Sequence, residues 1–240
     1  MLLDKDIREP LFDYLEQLYG KIRILEEKRI GRSRADICMV LPDAVCGIEI
    51  KSDADTYARL ARQIEDYDRY YDWNMIVVGS SHGIHVCEHI PEYWGVITVE
   101  EVDEKIDFYF YRKPKRNPKM QWRSKLSLLW RPELAQLQVW NRVPKYKEKS
   151  KDFVCRKIEE KIPEQIAEKA LQNQISELLF ERDYTKVSEM LASYRKGEIQ
   201  KELEKVKDPC KQIELMMQQS VKREEFAKRK YGRKKHRRRF

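Results

Sequence analysis

The chain has 240 residues, of which 41% are apolar and 38% charged, and a formal net charge of +8. That length is enough to bury roughly 70% of the unfolded surface without a disulfide scaffold, and the apolar runs, such as Ile37 to Leu41, fall far short of the roughly 20 residues that span a bilayer. The charge is segregated: residues 1–113 carry 15 Lys+Arg against 23 Asp+Glu, a net of −8, and residues 114–240 carry 34 against 18, a net of +16.

In chain order, Ile7, Leu11, Tyr14, Leu15 and Leu18 have helical spacing, with Gly20 as the stop. Pro10 leaves the start of this helix open, because proline is best tolerated in a first turn. Three extended segments are predicted next, Ile22 to Ile30, Ala35 to Leu41 and Val45 to Lys51, the last two separated by the turn residues Pro42-Asp43-Ala44. Asp53 or Asp55 is expected to cap an amphipathic helix that aligns Tyr57, Leu60, Ile64, Tyr67 and Tyr71 on one face. The run Met75 to Gly79 is continuously apolar, as a central strand covered on both faces is, and Gly95 to Val99 and Ile106 to Tyr111 supply two more strands. Helix, three strands, helix and strand give an α/β core with a mixed sheet over residues 1–112.

Beyond that point no strand pattern recurs. Residues 113–184 read as a helical extension on or beside the core, entered through the basic, proline-punctuated Lys113 to Pro118, with helices expected from Ser124 onward, from Asp152 to Ile162 and from Pro163 to Glu181. Residues 185–240 read as a helical basic tail whose end is disordered. Lys228, Arg229, Lys230, Arg233, Lys234, Lys235, Arg237, Arg238 and Arg239 repel one another there unless a polyanion neutralises them.

The segment richest in chemistry is Arg34-Ala35-Asp36, then twelve residues, then Glu49-Ile50-Lys51. Side chains alternate along a strand, so Glu49 and Lys51 share a face, and a hairpin across the Pro42 turn brings Asp36 near Glu49. Both carboxylates interrupt apolar strands, where unpaired charge is costly. Two carboxylates with an ammonium beside them suit Mg²⁺ or Mn²⁺ and a lysine that orients or deprotonates water. On its own, a glutamate two residues before a lysine is far more often a solvated strand edge than a site; the following helix, with Gln63 and Tyr67 one turn apart, adds context.

Asp36, Glu49-Ile50-Lys51 and Gln63-x-x-x-Tyr67, on a helix, three strands, helix and strand, resemble the PD-(D/E)XK nuclease superfamily, especially its RecB-like branch. Gly31 to Ile37, Gly47 to Thr56, Arg59-Leu60 and Pro91 to Gly95 are similar to a group of small stand-alone bacterial and phage proteins of that superfamily, as are Asn117-Pro118, Leu128 to Arg131 and Leu179 to Tyr184. The resemblance covers residues 1–184 and is most specific over 31–67. It implies a restriction-endonuclease-like core with an all-helical basic extension, and a deoxyribonuclease active with Mg²⁺ or Mn²⁺. Asp36, Glu49 and the main-chain carbonyl of Ile50 would be ligands, and Lys51 the residue that positions or activates water. Gln63 and Tyr67 would shape the site and contact DNA. A first-strand glutamate, Glu26 or Glu27, would join them, Glu27 fitting better by its distance to Asp36. Ala35 stands where the superfamily's name has proline.

Arg34, Arg59 and the terminal Lys/Arg run are the expected contacts to the DNA backbone, and RNA is a further candidate polyanion. The C-terminal helices could also join copies of the chain or a larger repair or defence complex. The start, Met1 to Asp6, lacks a secretory layout. Together with five cysteines (Cys38, Cys46, Cys87, Cys155, Cys210) that show no CxxC spacing, this gives the expectation of a cytoplasmic protein with buried or incidental thiols. His82, His85, Cys87 and His89 are clustered, but Gly83 and Pro91 point to a loop and strand rather than a zinc-binding helix. Tyr67, Tyr70, Tyr71 and Trp73 read as core or core-rim packing. Trp122, Trp130 and Trp140, interleaved with Arg123, Lys125, Arg131 and Arg142, could stack on bases and grip a backbone, two of the three tryptophans being expected as buried anchors.

Overall fold

The apolar spacing of the first helix, α1 (Asp4–Tyr19), places Ile7, Leu11 and Leu15 on one buried stripe. Asp6 accepts the Leu3 N–H at 3.2 Å, which closes the first turn, and Gly20 ends the helix with φ +72°. The helix thus begins well before Pro10, which lies inside it. Pro10 forfeits one backbone hydrogen bond but leaves the buried stripe intact.

Three strands follow, β1 (Arg23–Ile30), β2 (Ser33–Val40) and β3 (Val45–Lys51), and pair as an antiparallel meander. A 3₁₀ turn at Tyr57–Arg59 leads into α2 (Leu60–Tyr70), and β4 (Trp73–Gly79) then runs parallel to β3, as a helical crossover permits. Neither Asp53 nor Asp55 caps this helix. Asp55 instead accepts both the N–H and the hydroxyl of Ser52, at 2.9 and 2.7 Å, so it closes the loop leaving β3. Two short helices, α3 (Ser80–Gly83) and α4 (Val86–His89), precede β5 (Gly95–Val102), parallel to β4, and β6 (Lys105–Arg112), antiparallel to β5. The six strands form one mixed sheet in sequence order.

Helix α1 covers one face of the sheet, with Ile7, Leu11 and Leu15 packing on Ile37, Met39, Ile48, Ile50, Met75, Val77 and Val99. The opposite face carries α2 together with α5 (Trp122–Leu126), α6 (Arg131–Trp140), α7 (Lys151–Lys161) and α8 (Gln172–Phe180). Leu126, Leu129, Leu134, Leu137, Val154, Ile158, Ile175 and Leu179 share a core there with Val40, Val45, Ile76 and Val78. A buried network ties these helices to the sheet: Asp72 accepts the Val45 N–H at 2.7 Å, the Lys125 ammonium at 2.6 Å and the Gln172 amide at 2.6 Å.

This computed structural model describes residues 2–53, 55–83, 85–162 and 170–182, all within one compact unit that ends at Arg182. The expected start of a helix at Pro163, the helices from Thr185 onward and the basic run from Lys228 to Arg239 lie outside the described residues. Among the described residues, no helix is long and apolar enough to cross a membrane. Cys38, Cys46 and Cys155 are buried free thiols and Cys87 is half-buried.

Candidate functional site

The pairing of β2 with β3 runs from Val40↔Val45 to Ile37↔Ile48, so the next step along each strand sets Asp36 opposite Glu49. Asp36 is held there by its own strand and the next: its Oδ2 accepts the Ile50 N–H at 2.9 Å, and its own N–H donates to the Tyr67 hydroxyl at 3.2 Å. Ile50 thus contributes its amide to the position of Asp36.

Glu49 and Lys51 project towards α2, between β3 and the helix, and are only 1% and 3% exposed. Lys51 Nζ lies 2.6 Å from Glu49 Oε1 and donates to Gln63 Oε1 at 3.2 Å, while the Gln63 amide donates to the same carboxylate oxygen of Glu49. The Tyr67 hydroxyl donates to Glu49 Oε2 at 2.7 Å and lies 3.2 Å from the Ile48 carbonyl. This approach of helix to strand depends on Gly47, because a Cβ at that position would overlap the rings of Tyr71 and Tyr67. The structure therefore brings Asp36, Glu49, Lys51, Gln63 and Tyr67 together.

Glu27 reaches the cluster indirectly. The β1–β2 ladder pairs Glu26 with Ile37 and Lys28 with Ala35 but is interrupted between them, where Glu27 adopts φ +54°. A left-handed backbone is uncommon for a glutamate and costs about 1–3 kcal/mol. Its carboxylate is held by Arg8 at 2.8 Å and by Arg34 at 2.5 Å. Arg8, projecting from α1, also lies 3.3 Å from Glu26, 2.8 Å from Asp4 and 3.6 Å from Asp36. Arg34 is 68% exposed, and Arg59 is exposed on the 3₁₀ turn before α2.

The charges at this end of the sheet are unbalanced. Burial first, and then the neighbouring charge of Glu49, push the Asp36 carboxyl up to about 7, against the opposing pull of the Ile50 amide and Arg8. Burial, with Glu49 and Asp36 adding to it, also raises the Tyr67 phenol well above its ordinary range, so it stays a neutral donor. Burial works against the charge on Arg8, but its hydrogen bond to Asp4 and the charges of Asp4, Asp36 and Glu27 outweigh it and keep the guanidinium protonated.

No group of three or more His, Cys, Asp or Glu side chains suited to a metal ion occurs among the described residues. The donor set at the site is smaller: the Asp36 carboxylate and Glu49 Oε2, which keeps one lone pair beside its bond from Tyr67. Two hard oxygen donors next to each other, with water completing the shell, match the way Mg²⁺ is commonly held by one or two carboxylates. The residues present fit that ion better than one that needs an all-protein cage.

Other expectations are corrected by their surroundings. His82 and Gly83 lie in α3 and Val86–His89 form α4, in place of the expected loop and strand; Tyr57 packs on His82 and His89 with ring centroids 5.1 and 4.4 Å apart, and His85 lies 3.2 Å from Glu88. Of the cations interleaved with tryptophans, Lys125 is buried inside the fold, Arg131 is half-buried, and Arg123 and Arg142 are exposed. Lys125 is buried against Asp72, Arg123 makes a bidentate pair with Asp152, and Arg131 donates to the Tyr146 carbonyl. Trp122 and Trp130 are half-buried, Trp130 lying under the Arg182 guanidinium at 4.1 Å, and Trp140 is exposed, so none is a fully buried anchor. Arg8 is the site residue that sequence reasoning missed; its only local signal is Asp4 one turn earlier, which reads as an ordinary surface pair.

No curated protein matches the chain closely enough to count as a relative. Among solved structures, the chain has a distant likeness to SfsA of Pyrococcus furiosus in complex with Ca²⁺, at 16% identity and a TM-score of 0.31. That likeness covers 46% of this chain and 63% of SfsA, less than two thirds of its length. The helix that carries Arg8, the strands and helix of the carboxylate cluster and the helices packed behind them all fall within one family match, over residues 3–228, to the family described as Bacteriophage P4 protein cII, and the chain belongs to that family.

Proposed function

We propose that the protein is a Mg²⁺- or Mn²⁺-dependent nuclease of PD-(D/E)XK type, RecB-like in its core, that hydrolyses phosphodiester bonds in DNA. The observation that carries this reading is the juxtaposition of Asp36 and Glu49 across β2 and β3, with the Lys51 ammonium 2.6 Å from Glu49 at the same sheet end. When bound between Asp36 and Glu49, the divalent ion supplies charge neutralisation at the phosphate and a more acidic water. In this reading Lys51 would orient an attacking water or take up its proton, and Gln63 fixes the lysine and Glu49 relative to each other. Tyr67 holds Glu49 in one rotamer and supports the backbone of Asp36. Arg34, exposed beside its pair with Glu27, and Arg59, exposed on the 3₁₀ turn, would contact backbone phosphates. The basic C-terminal run is the further grip on the duplex backbone.

The test is incubation of the full chain with linear, nicked, branched and single-stranded DNA in Mn²⁺. Wild type is expected to cleave at least one of them, and Lys51→Ala to lose roughly 10²-fold or more of that rate. If both are equally inert on every substrate, the chain is a nucleic-acid-binding or assembly module that keeps the fold without the chemistry. Removal of residues 222–240 is expected to weaken DNA binding alike for every sequence and to flatten its salt dependence by about 0.9 in log–log slope for each phosphate the tail had neutralised; an unchanged slope rules out the tail as a backbone grip.

A further inference from the structure

Arg8 enters the candidate site from α1, on the face of the sheet opposite Gln63 and Tyr67. Its side chain is only 14% exposed and meets four carboxylates: Asp4 at 2.8 Å, Glu27 at 2.8 Å, Glu26 at 3.3 Å and Asp36 at 3.6 Å, with the Asp36 carbonyl at 3.4 Å. An arginine that merely decorated a helix surface would satisfy one acid and keep its head in water.

Two features show how the local structure is arranged around that guanidinium. Glu27 keeps a left-handed backbone at φ +54°, an arrangement that interrupts the β1–β2 ladder and directs its carboxylate at Arg8 and Arg34. The two oxygens of Asp36 are divided: Oδ2 accepts from the Ile50 amide of β3, and Oδ1 faces Arg8. In two-metal phosphodiesterase sites, one carboxylate commonly bridges ions roughly 3.5–4 Å apart. Asp36 has the same bridging position, with Glu49 on one side and a guanidinium and Glu27 on the other.

We propose that Arg8 is a built-in cation that occupies the second ion position between Asp36 and Glu27, and so limits the site to one divalent ion per chain while positioning Asp36 to hold it. The inference rests on the metal-dependent reading above. A guanidinium suits this role because it stays charged at any working pH and offers five donors in a fixed plane. It is a positioning residue, acting through Asp36 and Glu27.

Mn²⁺ titration of the full-length protein by calorimetry and EPR tests this, counting as site ions those lost in Asp36→Asn. Wild type and Glu27→Gln are each expected to bind one ion, with affinities within about threefold of each other. Arg8→Gln is expected to bind two, with dipolar broadening of the Mn²⁺ spectrum, and the double variant with Glu27→Gln to return to one. Two ions in wild type, or one in a folded Arg8→Gln, would overturn the proposal. Should Arg8→Gln fail to fold, as judged by circular dichroism, the wild-type and Glu27→Gln stoichiometries still decide it, since a tenfold loss of affinity in Glu27→Gln assigns Glu27 to the bound ion and not to Arg8. Absence of any ion dependent on Asp36 overturns the metal-dependent reading along with this one, whereas two ions in wild type overturns this one alone.

Discussion

Two lysines are buried against a carboxylate and a glutamine at opposite ends of β3. At its start, Lys125 meets Asp72 and Gln172; at its end, Lys51 meets Glu49 and Gln63. The inventories are nearly the same, yet the surroundings differ. Asp72 is further satisfied by the Val45 N–H and the Gln172 amide, so one negative charge meets one positive charge in a closed network that ties α5 and α8 to the sheet. Glu49 instead faces a second carboxylate, Asp36, and beyond it lie Glu27 and Glu26, with Arg8 drawn in from another layer. The difference that marks a candidate site is therefore the charge left over, because a buried Lys–carboxylate pair by itself is equally at home in a structural network.

The largest expected effect breaks the closed network. Lys125→Ala leaves Asp72 charged and buried, and is expected to cost about 3–5 kcal/mol in urea unfolding, with no response to Mn²⁺. Lys51→Ala is expected to be rescued in part by Mn²⁺ and to remain impaired in EDTA; equal behaviour of the two variants in both media would erase the distinction. Next in size is Gly47→Val, whose side chain overlaps Tyr67 and Tyr71. A loss of about 1–3 kcal/mol is expected, with loss of Mn²⁺ affinity as Tyr67 is pushed from Glu49.

The smallest effect has the opposite sign. The Asp36 carboxyl is raised to about 7 in the folded protein, against roughly 3.9 in an unfolded chain. Between those values the folded state holds a proton that the unfolded state has released, so the contribution of Asp36 to stability is full at acid pH and lost as pH rises through about 7. In EDTA at pH 8, Asp36→Asn is thus expected to stabilise by roughly 1–2 kcal/mol, a gain that disappears near pH 4. Asp72→Asn is expected to destabilise at pH 8. Urea midpoints of both variants at the two pH values check the pair of signs.

The strands were legible because each apolar run is bracketed by turn residues, and a hairpin's register follows from its turn; placing Asp36 opposite Glu49 needed nothing more than the Pro42 turn and the two-residue repeat of a strand. Lys125 was not legible. In sequence it sits among tryptophans and arginines like a phosphate contact, and the carboxylate that buries it lies 53 residues away. Arg8 escaped for the same reason, since its partners Glu27 and Asp36 are brought to it by packing of α1 against the sheet. The start of α2 was misplaced because Asp55 found a nearer pair of donors in Ser52 than the helix N-terminus offered. Long-range charge pairing, unlike apolar periodicity, leaves no local trace.

The fastening of the last described helix has a consequence for how the chain is made. Gln172 reaches Asp72 across 100 residues of sequence, and Arg23 of β1 donates to the main-chain carbonyls of Phe180 and Arg182, 157 and 159 residues away. At about 5–20 residues per second, translation delivers Gln172 roughly 5–20 s after Asp72. In the later part of that interval, once β6 has emerged, the nascent sheet has its strands but still lacks the last of the helices that cover Val40, Val45 and Ile76. Truncations that stop short of Arg182 leave that apolar face uncovered and are the ones expected to aggregate.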